Sequence, residues 1–242
     1  MGSAVTYVLE ESVAWITMDD GKVNVLSPSM FAELNVAFDR AEGDHAVVVL
    51  CGRPGIFSAG FDLAVLRGGG PEAVPMLQSG FRLAERMLAF PTPVVVACPG
   101  HAIAMGVFLV LSADYRIGVS GPFRITANEV AIGLTMPRAA IEICRQRLAP
   151  AQFSRAVMLA ENFSPEEAMT AGFLDRVVDP VDLVETARGV AQLLSGLDEQ
   201  AHRSTKQRAR ARLLSDLRAA IEQDDAELEG IASSGSDVLG EP

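Results

Sequence analysis

The chain has 242 residues, 49% of them hydrophobic, which is enough to bury a sizeable core and excludes a disordered or fibrous protein. Its 20 Lys and Arg against 31 Asp and Glu give a formal net charge of -11, which excludes general attraction to nucleic acid or an anionic membrane. Any anionic ligand must then be held by local groups.

In chain order, Val5–Leu9 and Val13–Thr17 predict two strands around Glu10-Glu11-Ser12. Ser27 as N-cap and Pro28 at the first helical position open a helix with Phe31, Leu34, Phe38 and Ala41 on one face. The β-branched run Ala46–Cys51 predicts a buried strand, followed by a loop of small residues through Gly60. Gly68-Gly69-Gly70-Pro71 precedes a helix that ends by Phe90. Val94–Cys98 then echoes Val47–Cys51 at a distance of 47 residues, each strand leading into a turn of small residues. Two similar strand-turn-helix units imply a layered α/β fold whose strand ends present loops to a ligand.

No Asp, Glu, Lys or Arg occurs from Met87 to Ala113, but prolines and glycines leave only Ala102–Leu111 unbroken. That run is too short to span a bilayer and reads as a buried helix. Tyr115–Val119 predicts a strand, and helices follow over Pro137–Leu148 and Pro150–Leu159. Ser164-Pro165-Glu166-Glu167 starts a capped helix that Gly172 stops, and Leu174–Val178 predicts a strand. A final helical region carries Lys206, Arg208, Arg210 and Arg212, then an acidic stretch from Glu222 to Glu229, and a frayed end rich in Pro, Gly and Ser. The basic run reads as a solvated helix, since residues two apart lie on different faces.

Cys51, Cys98 and Cys144 are far apart in apolar runs, without the spacing of thiolate metal sites, so a reducing, cytoplasmic setting is expected and no metal. Met1–Thr6 shows no secretory pattern, and its match to a myristoylation pattern is short enough to arise by chance.

Three segments carry more specific information: Ile56-Phe57-Ser58-Ala59-Gly60-Phe61-Asp62-Leu63, the run Gly100–Gly106 leading to Ala113-Asp114-Tyr115-Arg116-Ile117, and Asn128-Glu129-Val130-Ala131-Ile132-Gly133-Leu134. In order and spacing they resemble the enoyl-CoA hydratase/isomerase (crotonase) superfamily, closest in wording to the Δ3,Δ2-enoyl-CoA isomerases. The resemblance implies a crotonase-like (ClpP/crotonase) fold of repeated ββα units with a C-terminal helical region. Residues 1-190 would form the acyl-CoA-binding core and residues 191-242 a C-terminal helical trimerisation region, in a homotrimer or a hexamer built of two trimers. The substrate would be an acyl-CoA, with coenzyme A part of the substrate and no separate cofactor, and neither nucleic acid nor membrane is an expected partner.

Reactions at C2 of an acyl thioester build negative charge on the thioester oxygen, and two fixed backbone amides in a dry site stabilise that enolate. By resemblance the donors are the amides of Phe61 and Met105, although the family commonly has glycine at the second position, and Met105 would narrow the acyl channel or misdirect its N–H. Glu129 is the implied acid/base, since a carboxyl beside an apolar pocket can have a raised pKa. Hydratases of the family use a second glutamate, which falls at Phe108 here. Hydration shares its proton work between two carboxylates, whereas moving a double bond needs one base, so a lone carboxylate suits isomerisation. Implied substrate contacts are Lys22, Val25, Ser58, Ala59, Asp62, Leu63, Phe108 and Lys206, with Lys22, Arg53 and Lys206 the candidates for CoA phosphates.

Asp62 and Asp114 also lie beside element ends, where aspartate caps or orients a loop. His101 is expected to be packed and hydrogen-bonded, and no serine elbow accompanies His45 or His202. The alternatives are an enoyl-CoA hydratase acting on 2-enoyl-CoA and a weakly catalytic acyl-CoA-binding protein.

Overall fold

In the computed structural model, which describes residues 2–68 and 71–234, β1 (Val5–Glu10) and β2 (Val13–Met18) pair antiparallel around Glu11. Gly69, Gly70 and the closing Pro, Gly and Ser residues named above lie outside the described residues. After β3 (Val25–Leu26), helix α1 (Pro28–Gly43) starts where its cap predicts, Ser27 Oγ accepting from the Met30 N–H at 3.2 Å. The expected face, Phe31, Leu34, Phe38 and Ala41, is buried.

The two repeated units come next. The first is β4 (Val47–Cys51), β5 (Gly55–Ser58), β6 (Gly60–Phe61), α2 (Leu63–Arg67) and α3 (Ala73–Ala89). The second is β7 (Val94–Cys98), β8 (Gly100–Ile103) and α4 (Met105–Leu111). They stack strand on strand: β4 pairs parallel with β7, Val48 opposite Val94, and β5 pairs parallel with β8, Gly55 opposite Gly100. The segments expected as loops after Cys51 and Cys98 are therefore short strands of a second sheet.

One helix boundary is corrected. Ala102 and Ile103, expected to begin the buried helix, belong to β8 and pair with β10 (Ile125–Thr126), and α4 begins only at Met105. An apolar run by itself does not distinguish a buried strand from a buried helix.

The remaining elements are β9 (Tyr115–Val119), a 3-10 turn at Val130–Ile132, α5 (Arg138–Arg145), α6 (Pro150–Leu159), α7 (Pro165–Ala171), β11 (Arg176–Val178), α8 (Leu183–Ser195), α9 (Glu199–Ala209) and α10 (Ala211–Ser234). The main sheet runs β1-β2-β4-β7-β9-β11, parallel from β2 onward, with β10-β8-β5 as a smaller sheet and β3-β6 as a two-stranded one. Because strand side chains alternate, β4 and β7 feed two cores. Val48, Leu50, Val94 and Val96 join the main core, while Val47, Val49, Val95 and Ala97 pack with Leu183, Ala187 and Ala191 of α8.

The basic run is solvated only in part: Arg208 and Arg212 are exposed as expected, and the other two cations are not. Lys206 and Arg210, four residues apart and so on one face, clasp Asp114, with Lys206 Nζ 2.7 Å from Oδ2 and Arg210 Nη2 2.9 Å from Oδ1. Beyond it, α10 packs on α3 and α5 and sends Leu214, Leu217 and Ile221 into the main core. No helix among the described residues is long and apolar enough to cross a membrane.

Candidate active site

Two loops of the repeated units meet at Gly60 and Ala104. Gly60 has a φ of 89°, and a Cβ there would lie 2.8 Å from the Ala104 Cβ and 3.4 Å from the Met105 nitrogen, so only glycine permits this approach. Buried polar bonds hold the first loop: Ser58 Oγ accepts from the Gly60 N–H at 3.1 Å and donates to the Asn24 carbonyl at 2.7 Å. Asn24 Nδ2 in turn donates to the Met18 and Phe57 carbonyls at 2.9 and 3.1 Å.

The Asp62 N–H turns to the Leu26 carbonyl of β3 at 3.4 Å. Since successive strand amides point to opposite sides, the Phe61 N–H faces away from β3. On the second loop, Ala104 has a φ of 51° and a ψ of -127°, a region costing a non-glycine residue about 1–3 kcal/mol. Its N–H is tied to the Thr126 carbonyl at 3.0 Å, and its own carbonyl takes the Val107 and Phe108 amides. Met105 follows as the first residue of α4, where a helix leaves its leading amides without intrahelical acceptors.

Beside this junction lies a cavity of about 380 Å³. Ala59, Phe61, Leu63 and Leu66 line one side, Leu77 and Phe81 come from α3, Ala104 from the second loop, and Ile221 and Leu228 from α10. Asn128 and Glu129, between β10 and the 3-10 turn, and the segment from Ile132 to Arg138 line the opposite part of the wall. The Glu129 carbonyl accepts from Ile132 and Leu134 at 3.1 and 2.9 Å, which folds this loop around the residue.

Glu129 is 6% exposed and its Oε2 has no hydrogen-bond partner. Burial pushes its carboxyl up to about 7, opposed only by a bond from its own backbone N–H. Such a group can take up and return a proton near neutral pH. Asn128 Oδ1 is likewise buried without a partner.

Three other carboxylates reach the wall, all from α10, and each is held by an arginine. Asp224 Oδ1 pairs with Arg138 at 3.0 Å while its Oδ2 accepts from the Ala139 N–H at 2.9 Å, Asp225 pairs with Arg82 at 2.7 Å, and Glu227 with Arg138 at 2.6 Å.

Of the residues singled out from sequence, Ala59, Phe61, Leu63 and Glu129 share the cavity wall. Asp62 caps α2, accepting from the Ala64 N–H at 2.9 Å. Ser58 lies buried behind the loop, and Phe108 stacks on Phe81 with centroids 6.3 Å apart, so Phe81 rather than Phe108 faces the cavity. The Met105 side chain is fully buried and does not narrow the cavity, being turned towards Gly80 of α3. Val25 is half-buried on β3, and Lys22 is exposed beside Arg53, whose Nη1 donates to the Lys22 carbonyl at 2.9 Å. Neither lines the cavity.

Lys206 requires a correction. It was expected near the nucleotide end of CoA, but it is buried against Asp114, and burial pulls its ammonium down to about 8 despite that partner. His101 is packed as expected, its Nδ1 accepting from the Arg124 N–H at 3.0 Å and its ring edge-on to Phe123. The sequence reading missed the walls supplied by α3 and α10. In α10 the signal was present as a stripe at spacings of three and four, Leu214, Leu217, Ile221, Asp224 and Leu228, inside a segment whose acidity drew the attention.

Comparison with known proteins agrees with this architecture. A model of the enoyl-CoA hydratase/isomerase family matches residues 9–236, and the chain belongs to that family. The mitochondrial enoyl-CoA delta isomerase 1 of Homo sapiens is 29% identical over 232 residues, covering 91% of this chain and 74% of the human protein. A solved enoyl-CoA hydratase/isomerase family protein from Pseudomonas syringae is 50% identical with a TM-score of 0.90, covering 92% of this chain and 97% of that one. A Mycobacterium tuberculosis protein, 45% identical with a TM-score of 0.89 over 94% of this chain and all of its own, is described as an enoyl-CoA isomerase in one structure and as a probable enoyl-CoA hydratase in another. The fold is the crotonase fold, and the chain is an enzyme of the enoyl-CoA hydratase/isomerase class.

Proposed function

We propose that this enzyme moves the double bond of a 3-enoyl-CoA to give the 2-enoyl-CoA. The observation that carries the reading is that, of the four carboxylates on the cavity wall, the three of α10 each pair with an arginine, while Glu129 has a buried oxygen without a hydrogen-bond partner. The Phe61 and Met105 amides would hold the thioester oxygen. Glu129 would take a proton from C2, the C3–C4 double bond would shift into conjugation through the dienolate, and the same carboxyl would return the proton to C4. One base suffices, because each proton taken is given back. Preorganised amides of this kind are worth a few kcal/mol in the transition state.

Hydration of a 2-enoyl-CoA needs a second group to activate water, and each α10 carboxylate would first have to leave its arginine. Coenzyme A enters as part of the substrate, so the reaction calls for no further cofactor. We assign residues 191-242 to assembly of a trimer or hexamer, with α10 also closing the cavity of its own chain.

The test is to supply purified protein with a 3-enoyl-CoA and, separately, a 2-enoyl-CoA. Conjugation appearing in the first supports isomerisation, loss of conjugation in the second supports hydration, and tight binding of CoA esters with neither change contradicts both.

A further inference from the structure

We propose that Gly80, in the middle of α3, is a positioning residue that sets both oxyanion amides by leaving room for the Phe61 ring and the Met105 thioether. This rests on the reading just given of those two amides. A glycine inside a helix costs about 1 kcal/mol relative to alanine, and the helical φ of Gly80 gives no backbone reason for it. Its neighbours do. A Cβ built on Gly80 would lie 2.6 Å from Cζ and 2.7 Å from Cε1 of Phe61, and 3.2 Å from Sδ of Met105.

The first two distances are ones that carbon atoms do not reach, so an alanine must push the ring. Phe31 and Phe81 both pack against it, with centroids at 6.0 and 6.2 Å, and leave it little room to swing. The displacement then passes to the backbone. There Phe61 sits on β6, a two-residue strand paired only with the two residues of β3, which offers few hydrogen bonds to resist. Met105 is fully buried at the first position of α4, directly after the strained Ala104. One missing methyl group on α3 therefore touches the side chains of both residues whose amides face the thioester oxygen. The buried Met105 side chain has its room from the same absence: the volume of its thioether is accommodated by the volume missing at Gly80.

The experiment is a cycle of Gly80→Ala, Phe61→Leu and the double variant in the full chain. It is read by the carbonyl stretch of a bound 2-enoyl-CoA in infrared difference spectra, and by kcat and KM with a 3-enoyl-CoA. Hydrogen bonds from the amides lower the stretch in the parent protein whether or not turnover occurs. The proposal predicts that Gly80→Ala loses at least half of that lowering and roughly tenfold in kcat, while KM changes less than about threefold. Leucine removes the two Phe61 atoms that collide and leaves only the milder 3.2 Å contact to Met105 Sδ, so adding Gly80→Ala to Phe61→Leu should change either readout by less than about half of what it changes in the parent.

An unaltered stretch and kcat in Gly80→Ala overturn the proposal, as do equal losses in both backgrounds or a parent protein that does not lower the stretch. If Gly80→Ala alone does not fold, the double variant decides. Folding with the spectrum of Phe61→Leu supports the proposal, and failure to fold overturns it. A parent protein that leaves 3-enoyl-CoA unconverted while the spectroscopic cycle behaves as predicted contradicts the isomerase reading and leaves this one standing.

Discussion

Glu129 has a stability consequence that can be measured apart from catalysis. Its carboxyl is raised from 4.5 to about 7 in the folded chain, so between those values the unfolded chain releases a proton that the folded chain keeps. Folding stability must therefore fall as pH rises through that window, by roughly 3 kcal/mol in all, and stay level above it. Glu129→Gln should remove this slope and be more stable than the parent at neutral pH, which denaturant melts at a series of pH values will check. The identity of this residue was legible because an Asn-Glu pair in a recognisable segment is local information. Its isolation was not, since the arginines that occupy the rival carboxylates approach from α3 and α5. Lys206 was misread for a related reason: nothing local shows that Asp114, 92 residues earlier, faces two of the basic side chains of α9.

Among the elements, the joints between helices and strands have unequal importance. Asp114 accepts from the Val94 N–H at 2.8 Å as well as binding Lys206 and Arg210, so Asp114→Ala would leave the buried Lys206 and the half-buried Arg210 without their anion. A loss of about 3–5 kcal/mol in a thermal or denaturant melt is expected. At the other joint, Asp224 of α10 accepts from the Arg138 and Ala139 amides at the start of α5. Asp224→Ala should cost about 1–3 kcal/mol and raise KM for an acyl-CoA more than it lowers kcat, because Ile221 and Leu228 then line a looser wall. Helix α1 and the capped start of α7 were readable from Ser27-Pro28 and Ser164-Pro165, where cap and first turn are contiguous. The two-residue strands β3, β6 and β10 were not, because they exist only through pairing with segments distant in sequence.

For the whole molecule, the echo between Val47–Cys51 and Val94–Cys98 proved the most informative pattern, since the two units pair strand to strand and bring their small-residue loops together at Gly60 and Ala104. The net charge of -11 stands with a polyanionic substrate because the proposed contacts to its thioester are backbone amides, and Lys22 and Arg53 remain as the local candidates for its phosphates. The charge-free stretch from Met87 to Ala113 supplies half of the junction beside the cavity, and Glu129 faces it from the loop after β10. The most direct measurement is the initial rate of double-bond conjugation from a 3-enoyl-CoA, followed from about pH 5 to about pH 9 in the parent protein and in Glu129→Gln. The account predicts that kcat/KM of the parent rises through a single ionisation near 7 and then levels, and that the variant shows no such ionisation and lies about a thousandfold below the parent's plateau. A variant within about tenfold of that plateau would contradict the claim that this one carboxylate moves the proton.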